Sequence, residues 1–260
     1  MSQSFQMIQL SPLNSESNVY EIKLNRPKAR NALNTQLIIE LNEAIQYLQN
    51  QAVKVVIIKG SEGNFAAGAD IKEMLDAPFK DIQAMTARVA ALQNAMKVSP
   101  IIFIAAIEGR CLGGGLELAL SADIKIASEQ AIFGFPEVRL GLLPGGGGTQ
   151  RLLTLTGSSV ASRYILTGEL FSAQKAYDMK IISEIVSEVD ECARVIGTEM
   201  AQYNGHALTA IKQLISGIEH HELTVGLQLE QVKFQSLFTM GEAREGLRAF
   251  VEKRKPNYVE

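Results

Sequence analysis

Glu117 and Glu137 are the residues whose surroundings point most directly to chemistry. Glu117 follows Gly113-Gly114-Gly115 and lies within Leu116-Glu117-Leu118-Ala119-Leu120. A charge among apolar neighbours is costly unless it is paired or used. Glu137 follows Phe133-Gly134-Phe135-Pro136. Two carboxylates, each beside a glycine-bearing turn, suit acid/base work on a small bound molecule. Taken singly, each has a plainer explanation. Glu117 could be a first-turn helix acid favoured by the dipole, and Glu137 a surface-loop acid.

Such chemistry needs donors for the negative charge it creates. Gly113-Gly114-Gly115 is either a tight strand-to-helix turn or a place where backbone approaches a ligand. Backbone N–H groups at a helix start are unpaired and carry the positive end of the dipole, which suits a thioester or carboxylate oxygen. A two-point oxyanion hole needs a second donor. Phe65-Ala66-Ala67-Gly68-Ala69-Asp70-Ile71, after a buried strand, offers one, the plain alternative being an ordinary loop. Gly145-Gly146-Gly147-Gly148-Thr149-Gln150-Arg151 is a third glycine-rich turn. It lacks the lysine of GxxxxGK[ST] and the GxGxxG context, so it reads as a close-packed turn before a helix.

The elements that must position these groups follow from periodicity. Tyr20, Ile22 and Leu24 alternate with polar residues, which predicts a half-buried strand ended by Asn25-Arg26-Pro27. Asn34 is placed to cap a helix with Leu37, Leu41, Ile45 and Leu48 on one face. Val55 to Ile58 and Ile101 to Ile107 read as buried strands. Between them Ile82, Met85, Val89, Leu92 and Met96 mark a helix that Ser99-Pro100 stops. Leu116 to Ser121 predicts a short buried helix and Ile124 to Ala127 a strand. This alternation means α/β architecture, without separating a doubly wound sheet from a spiral. Beyond it the signals are helical: Asp190 to Tyr203, Ala207 to Gly217, Glu222 to Phe238 and Glu242 to Lys253, with Ser172 capping an earlier helix. A boundary is therefore expected near Glu191, dividing residues 1–190 from a helical region 191–260.

Composition removes other classes. Net charge is −3 with no basic stripe, so neither nucleic acid nor a membrane surface is an expected partner. Cys111 and Cys192 have no metal-like spacing, and His206, His220 and His221 do not join them, so no metal is expected. Met1 to Gln9 lacks the marks of a secretory leader, and Ile101 to Ile107 is far too short to span a bilayer. The expectation is a soluble cytoplasmic protein.

In its ordered set of motifs the chain resembles the enoyl-CoA hydratase/isomerase (crotonase) superfamily. The resemblance runs through Leu24-Asn25-Arg26-Pro27, Asn31-Ala32-Leu33-Asn34, Phe65 to Lys72, Gly109 through Asp123, and Phe133 to Glu137. It continues in Pro144 through Leu152 and ends in Glu245-Gly246 with Ala249-Phe250-Val251-Glu252-Lys253-Arg254. It implies a spiral of ββα units over residues 1–190 and a C-terminal helical region 191–260 used for trimers or dimers of trimers. It implies Glu117 and Glu137 as the pair that activates one water, and the N–H groups of Ala69 and Gly114 as the oxyanion hole. Lys28, Ala29, Ala67, Asp70, Ile71 and Lys72 match substrate-binding positions. Phe234 and Lys253 match positions that reach a neighbouring subunit's CoA. The implied reaction is hydration of a 2-enoyl-CoA, with no cofactor beyond the CoA of the substrate. The alternatives are an enoyl-CoA isomerase and, in a different class, a low-turnover acyl-CoA- or RNA-binding protein. Leu142 and Leu143 are expected near the acyl group, and Arg110 and Arg139 are candidate cations for an acyl chain ending in a carboxylate. Gly146 stands where many relatives have alanine, a difference expected to matter little.

Overall fold

The computed structural model describes residues 5–14, 18–203, 205, 208–213, 215, 235 and 242–254. A six-stranded sheet forms its centre, in the order β1 (Ile8–Pro12), β2 (Val19–Leu24), β3 (Val55–Gly60), β4 (Ile102–Ile107), β6 (Ile124–Ala127), β9 (Glu184–Ile185). Only β1 and β2 pair antiparallel; the rest of this sheet is parallel. Parallel neighbours need long crossovers, and α1 (Thr35–Gln49) links β2 to β3. Asn34 caps α1 as expected, its side chain accepting from the Leu37 N–H at 3.0 Å.

Side-chain alternation along β3 and β4 divides the core. Val56, Ile58, Phe103 and Ala105 join the larger cluster, while Val55, Ile57, Ile102 and Ile104 join a second. Both faces are therefore covered, which explains why these strands read as unbroken apolar runs. The second face is covered by α8 (Val189–Ala201), through Val189 and Ala193. This helix corresponds to the expected Asp190–Tyr203 helix, and it packs on the sheet of its own chain.

A second, three-stranded sheet contains β5 (Arg110–Leu112), β7 (Ile132–Gly134) and β8 (Phe171–Ser172). The chain visits the two sheets in turn. From β4 in the large sheet it passes to β5 in the small one and then into α4 (Gly114–Leu120). From β6 it passes to β7. Earlier turns do the same in shorter form: after β3, Ala66 bridges Cys111 of β5, and after β2, Leu33 bridges Ala69. That is a spiral, the alternative that alternation alone left open. Strands of two or three residues such as β7, β8 and β9 are too short to show a period in the sequence, and the mostly exposed β1 was not predicted either.

Between β3 and β4 run α2 (Ile71–Leu75) and α3 (Phe79–Val98), and beyond β7 come α5 (Gly148–Thr156), α6 (Ser158–Thr167) and α7 (Ala173–Asp178). Ser172 caps α7, its hydroxyl accepting from the Lys175 N–H at 3.3 Å. The closing helix, Glu242–Val251, buries Leu247 and Ala249. Its Arg244 donates to the carbonyls of Leu75 and Ala77 at 3.2 and 2.7 Å, fastening it over α2. Residues 208–213 are helical within the expected Ala207–Gly217 helix, while the expected Glu222–Phe238 helix lies outside the described residues except for Gln235. Among the described residues no helix is long and apolar enough to cross a membrane.

Close approach fixes how α4 meets the small sheet. A Cβ on Gly115 would stand 2.3 Å from the Ala66 carbonyl oxygen and 2.7 Å from the Ala66 Cβ. Alanine would gain about 1 kcal/mol in helix propensity. That gain is outweighed by overpacking against backbone, which costs about 1–3 kcal/mol or more. Gly115→Ala should therefore lower stability by about 2 kcal/mol net, read as a fall in the urea midpoint; an unchanged or higher midpoint would contradict this packing.

Candidate active site

Glu117 lies in the first turn of α4, a helix buried from Gly115 to Leu120. The residue is only 4% exposed. Water is replaced there by fixed donors: the N–H groups of Gly146 and Gly148 donate to Oε1 at 2.7 and 2.9 Å. These amides belong to the third glycine-rich turn, whose sequence suggested close packing and gave no hint of this partner. Arg151 Nη1 holds the turn by donating to the Gly146 carbonyl at 2.9 Å and to Gln93 Oε1 at 3.1 Å. Burial raises the Glu117 pKa above the usual carboxylate range, while the two amides and the Arg151 charge pull against that rise.

At Gly146 a Cβ would stand 2.7 Å from Glu117 Oε2 and 2.9 Å from Val89 Cγ1. Alanine here would require the carboxylate or the valine to shift. The residue is thus more constrained than its sequence context suggested.

Glu137 is half-buried in a 3₁₀ turn, Pro136–Leu140, which Gly141 closes at a φ of +70°. Its Oε1 is 2.6 Å from the place a Cβ on Gly113 would occupy, and Glu117 Oε2 is 3.8 Å from the corresponding place on Gly114. The two carboxylates thus meet adjacent residues of one turn. Both line a single cavity of about 450 Å³.

Ala69 and Gly114 line that same cavity. Leu33 brackets Ala69: its N–H donates to the Gly68 carbonyl at 2.8 Å, and its carbonyl accepts from the Asp70 N–H at 2.9 Å. The Gly68 carbonyl, which shares a peptide group with the Ala69 N–H, and the Asp70 N–H of the next peptide are thereby engaged, while the Ala69 N–H has no acceptor among the described residues. Gly114 opens α4, where the first N–H groups have no intrahelical acceptor. It too has none among the described residues. A Cβ on Gly114 would lie 3.6 Å from the Ala69 nitrogen, so the two amides are neighbours.

The other expected residues divide. Ala67 and Ile71 line the cavity. Asp70, Lys28, Ala29, Lys72 and Lys253 are not among its lining residues. The Asp70 carboxylate caps α2, accepting from the Lys72 and Glu73 N–H groups, and pairs with Arg26 at 2.8 Å. Lys28, Lys72 and Lys253 are exposed. Phe234 lies outside the described residues. Arg110, Arg139 and Leu142 do line the cavity; Leu143 packs against the core without lining it. Sequence reading missed Arg30 and the apolar wall of Met74, Met85 and Val89. It also missed Gly246, Phe250 and Arg254, which bring the closing helix to the cavity of its own chain. The apolar face of α3 was legible, but whether it met core or cavity was not.

Such an arrangement can hold a small polarised molecule between amides and acids inside an α/β spiral, as acid/base enzymes acting on acyl groups do. The family follows from comparison. A sequence model described as enoyl-CoA hydratase/isomerase matches residues 14–260. A Mycobacterium tuberculosis protein named a probable enoyl-CoA hydratase is 40% identical over 241 residues, covering 92% of this chain and 93% of that one. The 2,3-dehydroadipyl-CoA hydratase of Escherichia coli is 37% identical over 254 residues, covering 94% and 96%. The solved enoyl-CoA hydratase of Bacillus anthracis superposes with a TM-score of 0.79 at 33% identity, covering 97% and 99% of the two chains. The chain belongs to the enoyl-CoA hydratase/isomerase family, and its fold is the crotonase spiral.

The raised Glu117 pKa has a signed consequence for stability. Folding disfavours ionisation here, so the carboxylate costs nothing below its unfolded value of about 4.3 and costs more as pH rises towards its folded value. Glu117→Gln removes that cost but keeps an oxygen for the two amides. The variant should gain stability relative to the wild type as pH rises from about 4 to 8. Thermal melts across that range check it, and a gap that widens on acidification would contradict the assignment.

Proposed function

We propose that this chain is an enoyl-CoA hydratase that adds water across the 2,3 double bond of a 2-enoyl-CoA. The observation that carries this reading is the convergence of two carboxylates and two acceptor-free amides on one cavity. The relatives named as hydratases support the same reaction class. Water attack at C3 moves negative charge onto the thioester oxygen. The Ala69 and Gly114 N–H groups stabilise it, each donor being worth about 3–4 kcal/mol in comparable sites. Because the donors are fixed by the spiral, little reorganisation is needed as charge builds.

Glu117 and Glu137 hold the water between them. Oε1 of Glu117 is committed to two backbone amides, which leaves Oε2 as the atom for the water. One carboxylate accepts a proton as the water oxygen bonds to C3, and the other helps return a proton to C2. The scheme assigns these two roles to the pair of carboxylates together. Water supplies both added groups, hydrogen at C2 and hydroxyl at C3, and the only cofactor in the scheme is the CoA carried by the substrate.

Purified protein should remove the conjugation absorbance of crotonyl-CoA and release 3-hydroxybutyryl-CoA. Turnover of a 3-enoyl-CoA with none of crotonyl-CoA would instead make it an isomerase. Salt-sensitive RNA binding without turnover would place it in another class. Glu117→Gln and Glu137→Gln should each lower kcat by about 10²-fold or more while largely sparing KM. An unchanged kcat in both variants would remove the two-carboxylate mechanism.

A further inference from the structure

Nothing in the reaction scheme explains why the Ala69 amide stays where it is. Ala69 sits in a short connection between Gly68, at a φ of +111°, and α2, a helix of five residues. So short a helix has little stability of its own. A donor that must be placed to a fraction of an ångström needs external support.

That support is visible on both sides. Arg26 Nη2 donates to Asp70 Oδ2 at 2.8 Å, and its Nη1 donates to the Ala32 carbonyl. The guanidinium therefore joins the residue before Leu33 to the residue after Ala69, spanning the two-bond backbone bridge that brackets the amide. Arg26 and Asp70 are 18% and 17% exposed, shielded enough for the fork geometry to count. Arg26 is in turn held through its own N–H, which donates to Asn31 Oδ1 at 3.0 Å. Asn31 is fully buried at a φ of +57° and also accepts from the Ser61 hydroxyl. Its amide group donates to the carbonyls of Ser61 and Asn64 at 3.0 and 2.6 Å. The chain of contacts thus runs from the loop before Phe65, through Asn31 and Arg26, to Asp70.

Resting on the hydratase reading above, we propose that the Arg26–Asp70 pair is a positioning device that sets the aim of the Ala69 N–H at the thioester oxygen. Neither residue lines the cavity. Asp70 acts by fixing the peptide that follows Ala69, and Arg26 acts through Asp70 and Ala32. Arginine is required because lysine, a single point donor, cannot reach the carboxylate and the carbonyl together in the same planar arrangement.

Two conservative variants separate this role from general support. Asp70→Asn keeps a good N-cap for α2 and loses the ionic partner. Arg26→Lys keeps the charge and loses the fork. Each should lower kcat on crotonyl-CoA about tenfold to a hundredfold, the scale of a small misplacement of a catalytic group. KM should move by less than about threefold, because the loss falls on the transition state. The double variant should lose no more than the worse single variant, since the two act as a unit.

Bound 2,4-hexadienoyl-CoA supplies a readout independent of turnover. Donors aimed at its thioester oxygen polarise the conjugated system and move its absorbance to the red. The wild type and Glu117→Gln should show the full shift, and both pair variants a reduced one. A full shift and near-normal kcat in Asp70→Asn would overturn the proposal while leaving the hydratase reading intact. A wild type that binds this thioester with no shift would overturn the hydratase reading and the positioning role together. Should Arg26→Lys fold poorly, Asp70→Asn decides alone.

Discussion

A carboxylate taken out of water must be met by donors that do not move, and Glu117 is where this structure meets that demand. Its two amide partners come from a turn far along the chain, at Gly146 and Gly148. A side chain at either position would force neighbouring atoms to shift. A Cβ on Gly148 would stand 2.6 Å from Phe135 Cε1, and one on Gly146 would press on the carboxylate itself. Arg151 holds the turn closed and adds positive charge nearby. The outcome is a buried acid with raised proton affinity and one oxygen fixed, which is the state a proton-transferring group in an apolar wall requires.

The spiral explains why amides are available beside it. Each turn of the chain leaves the large sheet and passes through the small one, and the ends of successive turns lie side by side at one corner. Ala69 belongs to one such end and Gly114 to the next. Both N–H groups are left over by local geometry: one is bracketed by the Leu33 bridge, the other opens a helix. Unpaired backbone donors are normally a cost. At the rim of a cavity, the proposed reaction would use them to hold charge that appears only as bonds change. In the proposed reaction, binding and proton transfer would be served by different parts of the same corner, amides from the spiral and acids from α4 and the Pro136 turn.

Sequence carried the local part of this and lost the rest at contacts between distant segments. Long strands with both faces buried, such as β3 and β4, announce themselves as apolar runs. The caps at Asn34 and Ser172 were legible because capping is a local bond between a side chain and an amide three residues on. Glu117 and Glu137 were legible as misfits in their surroundings. Their meeting came only from the family resemblance, because in the residues themselves it depends on how two turns of the spiral stack. The structural use of Asp70 was hidden for the same reason, since its partner Arg26 lies on another turn. The closing segment read as a helix, yet nothing in its pattern says that Phe250 lines a cavity. Periodicity identifies a face and leaves open what covers it.

The central claim is spatial, so a structure of the protein with a bound 3-hydroxyacyl-CoA tests it most directly. The account predicts the thioester oxygen within hydrogen-bonding distance of both the Ala69 and Gly114 nitrogens, and the C3 hydroxyl between the carboxylates of Glu117 and Glu137. A thioester carbonyl turned away from those amides, or a C3 hydroxyl reaching neither acid, would contradict it.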